Sequence, residues 1–283
     1  MNMLLYRTLW GVTVPLAQAA SEASEAGFDG LESRVPTSVG QRNALLQTLE
    51  SRGLRWNAEI VTGGDYVPRR DATPDEHLEE IRKAVAVCAD MNPDRVNCIV
   101  GLDAWDGDTA TRFLEQAHEL GERAGVPLCI ETHRSRIFFN PWTTAALLKR
   151  LPQLRLTADI SHWCVVAERQ MDTEMDVIRA MAPQVHHVHA RVGYDQGPQV
   201  PHPAAPEYQY CLETHQQCWE VFWEAARKRG ESTVTMTPEF GSDGYLHRLP
   251  FTDAPVADLW QINHWMGDTQ RAHFRHWQGQ SVS

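Results

Sequence analysis

Lysine is nearly absent from this chain of 283 residues: Lys83, Lys149 and Lys228 are the whole set, and all three fall in segments with a helical pattern. A Schiff-base aldolase needs a lysine facing its substrate, so that chemistry is disfavoured. Positive charge is scarce altogether. Lys plus Arg number 26 against 37 Asp plus Glu, a net charge of −11. Such a chain has no electrostatic grip on nucleic acid. No apolar run approaches the ~20 residues of a membrane span, so no membrane partner is expected. The first residues carry Arg7 within their apolar stretch and no small-residue cleavage signal. No secretory leader is expected there. The six cysteines (Cys88, Cys98, Cys129, Cys164, Cys211, Cys218) form no C-x-x-C pair. They read as reduced, mostly buried thiols of a cytoplasmic protein. Low-complexity stretches and charge blocks are absent too, so one domain over residues 1–283 is expected, ending in a helical extension at about 255–283.

What is present is an alternation. Short apolar runs suited to buried strands lie at 4–9, 28–33, 54–60, 95–101, 127–131, 154–160, 185–190 and 233–239. Helical patterns separate them at 15–26, 41–52, 74–91, 109–124, 141–150, 173–181, 211–229 and 255–277. Thr73 is the expected N-cap of the third, followed by Pro74, Asp75 and Glu76. Eight strands each followed by a helix is the count of an α/β (β/α)8 barrel. The connections support it. Those from helix to strand are short and carry Gly27, Gly53, Gly125 and Gly230, or Pro93, Pro152 and Pro183. Those from strand to helix are often long, at 61–73, 132–140, 191–210 and 240–254. A barrel carries its active site on those second loops. A doubly wound sheet would want a glycine-rich phosphate loop after its first strand, and Trp10-Gly11-Val12-Thr13-Val14-Pro15 is not one.

Polar residues recur at the predicted strand ends: Glu32, Glu59, Glu131 with His133, Asp159 with His162, His187 with His189, and Glu239. Each alone is as readily a salt-bridged or solvated side chain. Together, four consecutive strands end in Glu131, Asp159, His189 and Glu239, and neighbouring strand ends of a closed barrel converge. Three carboxylates there repel one another, and a divalent cation is the simple way to hold them. Three carboxylates and an imidazole are hard donors. One divalent ion is expected, Mn²⁺ ahead of Mg²⁺, with Co²⁺ and Zn²⁺ also compatible.

The segments Ile130-Glu131-Thr132-His133, Asp159-Ile160-Ser161-His162, His187-Val188-His189 and Pro238-Glu239-Phe240, with the early Ala26-Gly27-Phe28-Asp29-Gly30-Leu31-Glu32, resemble the xylose isomerase-like TIM-barrel superfamily. Its members are sugar and sugar-phosphate isomerases, ketose 3-epimerases, inosose dehydratases and endonuclease IV. The resemblance implies metal ligands Glu131, Asp159, His189 and Glu239, with Glu131 and Glu239 also the acid/base pair. It implies that His162 binds substrate oxygens. His187, one strand period before His189 and facing the same way, is the other ligand position in register. One departure stands out. The ketose epimerases place an arginine six residues past the ligand histidine, where this chain has Asp195; Arg191 stands two residues past it instead.

The chemistry expected is proton transfer next to the carbonyl of a small polyhydroxy compound, with an enediolate stabilised by the metal. One glutamate removes the proton and the other returns it, giving an isomerase or epimerase. Loss of a β-hydroxyl or glycosidic oxygen through the same residues would make a dehydratase or lyase. A non-catalytic sugar-binding barrel is the reading outside enzymes. DNA repair of the endonuclease IV kind would want a basic face. Glu32, His133, Arg191, His187 and Trp105 are further candidates for substrate contact. Arg134 and Arg136 are candidates for a phosphate or carboxylate. Trp10, Trp142 and Trp163 either wall a sugar face or pack in the core. The proline-bearing loop 191–210 reads as lid, pocket wall or inter-subunit arm, and Trp260, Trp265, Phe274 and Trp277 as helix packing that can extend to a homo-oligomer contact.

Overall fold

The computed structural model describes residues 1–242 and 244–280. Eight parallel strands pair in sequence order and the last returns to the first, closing a barrel. They are β1 (Asn2–Thr8), β2 (Gly30–Arg34), β3 (Arg55–Val61), β4 (Arg95–Ile99), β5 (Leu128–Glu131), β6 (Arg155–Ala158), β7 (Val185–His189) and β8 (Thr233–Thr237). The α-helices between and after them are α1 (Leu16–Glu25), α2 (Val39–Arg52), α3 (Pro74–Met91), α4 (Gly107–Arg123), α5 (Pro141–Arg150), α6 (Ser161–Ala167), α7 (Met175–Met181), α8 (Gln209–Lys228) and α9 (Leu259–Gln280). Among the described residues no helix is long and apolar enough to cross a membrane, and the six cysteines are unpaired.

The alternation of the strands explains both faces. Leu5, Leu31, Ala58, Val96, Ile130, Leu156, Val188 and Met236 point outward into the apolar layer under the helices. The intervening positions line the barrel interior and are polar: Glu32, Asn57, Asn97, Thr157, His187 and Thr235 are all buried. The register sets Glu32 beside Asn57, Thr157 beside His187, and His189 beside Thr237. At the lower end Tyr6 needs the space beside it, since a Cβ at Gly30 would lie 2.7 Å from the Tyr6 ring.

Helix boundaries follow local chemistry. At α3, Thr73 and Glu76 cap each other, the Glu76 carboxylate accepting from the Thr73 N–H at 2.7 Å. Two elements differ from the sequence expectation. Helix α6 begins just past Asp159, and its seven residues are too short to display a period. The last helix starts at Leu259 because residues 255–258 form its approach, with Asp258 accepting from the Gln261 N–H at 2.8 Å. The end of the expected C-terminal extension, residues 281–283, lies outside the described residues.

The top of β8 is held by two amide brackets. Asn263 of α9 accepts from the Phe240 N–H at 2.8 Å and donates to the Phe240 carbonyl at 2.9 Å. Gln199 does the same for Gly241, at 2.9 and 3.2 Å. Gly241 admits no side chain, because a Cβ there would sit 1.9 Å from the Trp10 ring. Replacing Asn263 by alanine leaves two buried backbone groups unpaired beside Glu239, a loss of about 2 kcal/mol. Urea unfolding of Asn263→Ala checks this, and a change below about 0.5 kcal/mol contradicts the bracket.

Candidate metal centre

Glu131 ends β5, Asp159 stands one residue past β6, His189 ends β7 and Glu239 stands two past β8. Four adjacent strands thus deliver one side chain each to the same level of the barrel mouth. One ligand atom from each lies within 4.8 Å of all the others, and all four residues are buried. His189 Nδ1 is the hub, 3.5 Å from Glu131 Oε2 and 3.1 Å from Glu239 Oε2. Neither nitrogen of that ring makes an aligned hydrogen bond. His187 takes no part in this group. Its ring sits one step lower, between the Thr235 hydroxyl at 2.8 Å and the Thr237 hydroxyl at 3.1 Å.

The group rests on a polar floor. Glu32 spans both histidines, with Oε1 2.8 Å from His189 Nε2 and Oε2 3.0 Å from His187 Nε2. Asn57 and Thr237 donate to the same carboxylate at 3.2 and 3.0 Å. Glu32 therefore turns the His189 ring so that Nδ1 faces the acids, the placement that a carboxylate gives a metal-bound histidine. Asn97 donates to Glu131 Oε2. Ser161 donates to Asp159 through its backbone N–H at 3.1 Å and through its hydroxyl. The α6 start unseen in the sequence is what supplies Ser161 and His162.

Arg191 enters the group from the side. Its guanidinium donates to Asp159 Oδ2, lies 3.5 Å from Glu239 Oε2, and donates to the Ser161 hydroxyl at 3.0 Å. It also donates to His162 Nε2 at 2.7 Å, which leaves His162 Nδ1 as the protonated nitrogen, buried and unpartnered. His133 lies tilted against the His162 ring, centres 4.0 Å apart, and bonds the Arg134 carbonyl. Burial first, then the charges of His133, Arg191 and Arg134, hold His162 well below its ordinary value, so it is neutral.

The carboxylates feel one another. Burial and the Glu131 charge push Glu239 up to about 7 against the pull of His189 and Arg191. Burial, Glu239, Glu131 and Glu32 push Glu59 up to about 8. Burial raises Glu131 too, but the His189 charge overrides it and holds the group at about 2. His189 itself is buried, yet Glu239, Glu32 and Glu131 raise it well above the usual imidazole range. A site that gathers protons in this way has an excess of negative charge.

Above the acids lies an aromatic arc. Trp10 packs 5.6 Å from Tyr66 and 5.0 Å from Tyr245. Tyr66 and Tyr245 come from loops without any periodic pattern, and nothing in the sequence marked them. Trp105 lies elsewhere, packed on His77 at 5.2 Å and Phe113 at 5.1 Å between α3 and α4. Trp163 is core, its indole N–H on the Phe138 carbonyl, and Trp142 is exposed beside Glu174. Arg136 is a buried clamp that donates to the carbonyls of Thr62, Gly101, Asp65 and Tyr66, and so fixes the loop carrying Tyr66. In the loop after β7, Val192, Gln199 and Val200 are buried.

Two smaller groups share these residues: Glu32 with His187 and His189, and Glu131 with His133 and His162. In the first, Glu32 Oε2 and both nitrogens of His187 already meet hydroxyls or an amide. The four-residue group is the one whose donors fit a divalent cation: three carboxylates, one imidazole without an aligned partner, and mutual repulsion for an ion to relieve. Binding requires those donors deprotonated. With His189 and Glu239 raised, metal uptake should release protons, and Mn²⁺ affinity should climb as pH rises from about 6 to 8. Calorimetry in buffers of different ionisation enthalpy measures both, and a pH-independent affinity contradicts the assignment. Glu32→Gln should weaken Mn²⁺ binding about 10–100-fold with the fold kept. Unchanged affinity would deny Glu32 its orienting role.

The profile of the family described as xylose isomerase-like TIM barrel matches residues 20–199. None of the curated proteins matches the chain. Among solved structures, L-ribulose 3-epimerase superposes with a TM-score of 0.67 at 14% identity, over 100% of this chain and 97% of its own. A xylose isomerase-like TIM barrel protein from Mycobacterium smegmatis, in complex with magnesium, gives 0.64 at 13% identity, over 95% and 97%. The probable 3-DHS dehydratase AsbF from Bacillus anthracis gives 0.56 at 12%, over 86% and 93%. At such identities the likeness is one of fold. With the profile match over most of the barrel, the chain belongs to the xylose isomerase-like TIM barrel family.

Proposed function

We propose that this protein is a divalent-metal-dependent isomerase or epimerase of a small polyhydroxy carbonyl compound, carried by one domain over residues 1–283. The observation that carries the reading is the pair Glu131 and Glu239, two buried carboxylates on either side of His189 Nδ1 at 3.5 and 3.1 Å. Glu131, Asp159, His189 and Glu239 would hold the ion, with Mn²⁺ the first choice for such donors. A bound divalent ion supplies Lewis acidity toward a carbonyl oxygen and its neighbouring hydroxyl.

The protein groups do the rest. One glutamate takes the proton from the carbon beside the carbonyl, leaving an enediolate. The other gives a proton back, to the opposite face of that carbon in epimerisation or to the neighbouring carbon in isomerisation. Without an ion the two differ, Glu131 held at about 2 and Glu239 raised to about 7, and an ion shared by both would draw Glu239 toward its ionised form. Arg191 fixes Asp159 and Glu239 and donates to His162 Nε2, which leaves the proton of that ring on Nδ1. Trp10, Tyr66 and Tyr245 give the apolar surface that a sugar face packs against and keep water from the reacting carbon.

The unpartnered Nδ1–H of His162 favours a second reading. A neutral imidazole N–H beside Glu131 can hydrogen-bond a departing β-hydroxyl or glycosidic oxygen while the second glutamate gives that oxygen its proton, and the same proton abstraction then ends in elimination. The fold likeness to both an epimerase and a dehydratase is compatible with either.

Proton-exchange NMR separates them. The manganese-loaded protein is incubated in D₂O with a panel of ketoses, keto-glycosides and inososes. Deuterium at a carbon next to the carbonyl with the carbon chain intact supports the first reading, and an enone or lost substituent supports the second. Glu131→Gln or Glu239→Gln should each cost about 10²–10⁴-fold in turnover with the fold kept. Full turnover in either variant removes that glutamate from its role.

A further inference from the structure

We propose that the substrate carries an anionic oxygen group, a carboxylate or a phosphate monoester, and that Arg134 binds it. The inference rests on the barrel mouth being the site for a polyhydroxy carbonyl compound, and it names the class of that compound.

Three arginines lie over the rings of the aromatic arc, and two of them have acid partners. Arg191 is held by Asp159 and Glu239. Arg34 pairs with Asp65 at 2.6 Å and lies 3.5 Å from Glu59. Arg134 has no carboxylate within ion-pair distance among the described residues, in a chain of net charge −11. It is not loose in solvent either. It stands three residues past Glu131, half-buried, with its guanidinium carbon 4.8 Å from the centre of the Tyr245 ring. Arg191 stacks on the same ring at 4.9 Å. Tyr245 thus carries one cation facing the acids and a second whose charge is unmatched.

Stacking on an aromatic face orients a guanidinium without neutralising it. The exposed fork then fits two oxygens of a carboxylate or phosphate. The other end of the aromatic arc gives contrast. There Arg34 lies 4.5 Å from the Tyr66 ring, but Asp65 at 2.6 Å offsets its charge. The mouth therefore has one neutralised end and one positive end. A substrate with a single anionic terminus would lie in one direction only, its charged end on Arg134 and its carbonyl end over Glu131 and Glu239.

The test uses the manganese-loaded full chain and matched ligands of one chain length. An alditol, the corresponding aldonate and the alditol phosphate are titrated by calorimetry into wild type, Arg134→Gln and Arg134→Lys. Wild type should bind at least one anion tenfold or more tighter than the alditol, and which one identifies carboxylate or phosphate as the group. The preference should fall at least tenfold in Arg134→Gln and be partly restored in Arg134→Lys. Equal binding of neutral and anionic ligands by wild type overturns the proposal. So does a preference that Arg134→Gln leaves intact. Circular dichroism shows that each variant is folded. Deuterium exchange with the matching ketose, keto-aldonate and ketose phosphate is read separately. Absence of exchange from all of them counts against the isomerase reading, while the calorimetric preference still decides the role of Arg134.

Discussion

Carboxylates crowded at one end of a closed barrel govern this molecule. Glu32, Glu59, Glu131, Asp159 and Glu239 are all buried, and parallel strands leave them no route to water. Like charges so placed cannot all stay ionised without cations among them. The chain supplies Arg191 from the side and His189 in the centre, and their reach is incomplete, since Glu239 and Glu59 still sit near neutral pH in their titration. The excess favours a divalent ion. It also explains why the barrel interior is filled with hydroxyls, amides and imidazoles rather than branched apolar side chains. Every inward layer serves to hold the layer above it.

That support runs in a chain of contacts. Thr235 and Thr237 fix His187, His187 and Asn57 fix Glu32, and Glu32 fixes His189. From above, Asn263 and Gln199 pin the backbone next to Glu239, while Ser161 and Arg191 orient Asp159. Side chains held on strand ends with such backing move little, which is the condition for passing a proton between two fixed carboxylates. The loops contribute what strands cannot: the rings of Trp10, Tyr66 and Tyr245 and the arginines laid on them.

Much of this was legible in the sequence because strand ends are marked twice, by an apolar run and by the polar residue that closes it. Glu131, Asp159, His189 and Glu239 stood out for that reason, and the glycines and prolines after helices gave the direction of the chain. Roles that depend on which atom meets which were not legible. Glu32 reads as a substrate contact in sequence, whereas in space both its oxygens lie on imidazoles. His187 and His189 share a face, and only their height in the barrel tells them apart. Trp105 follows a strand, yet its loop turns it toward α3 and α4. Tyr66 and Tyr245 sit in irregular loops, where no period exists to read. Helix α6 was too short to announce itself, and Arg136 looked like an anion site when it is a clamp on carbonyls.

The belonging of the chain to the xylose isomerase-like barrels fixes the scaffold and leaves the substrate to the mouth, where Arg191 stands two residues past His189 and Arg134 three past Glu131. The claim beneath everything else is that one cation is shared by four strand ends. Anomalous diffraction at the manganese edge from crystals grown with Mn²⁺ tests it most directly. The expected result is a single strong peak about 2.1 Å from oxygens of Glu131, Asp159 and Glu239 and from His189 Nδ1. Manganese seated on His133 and His162 instead, or no peak in the barrel mouth, would contradict it.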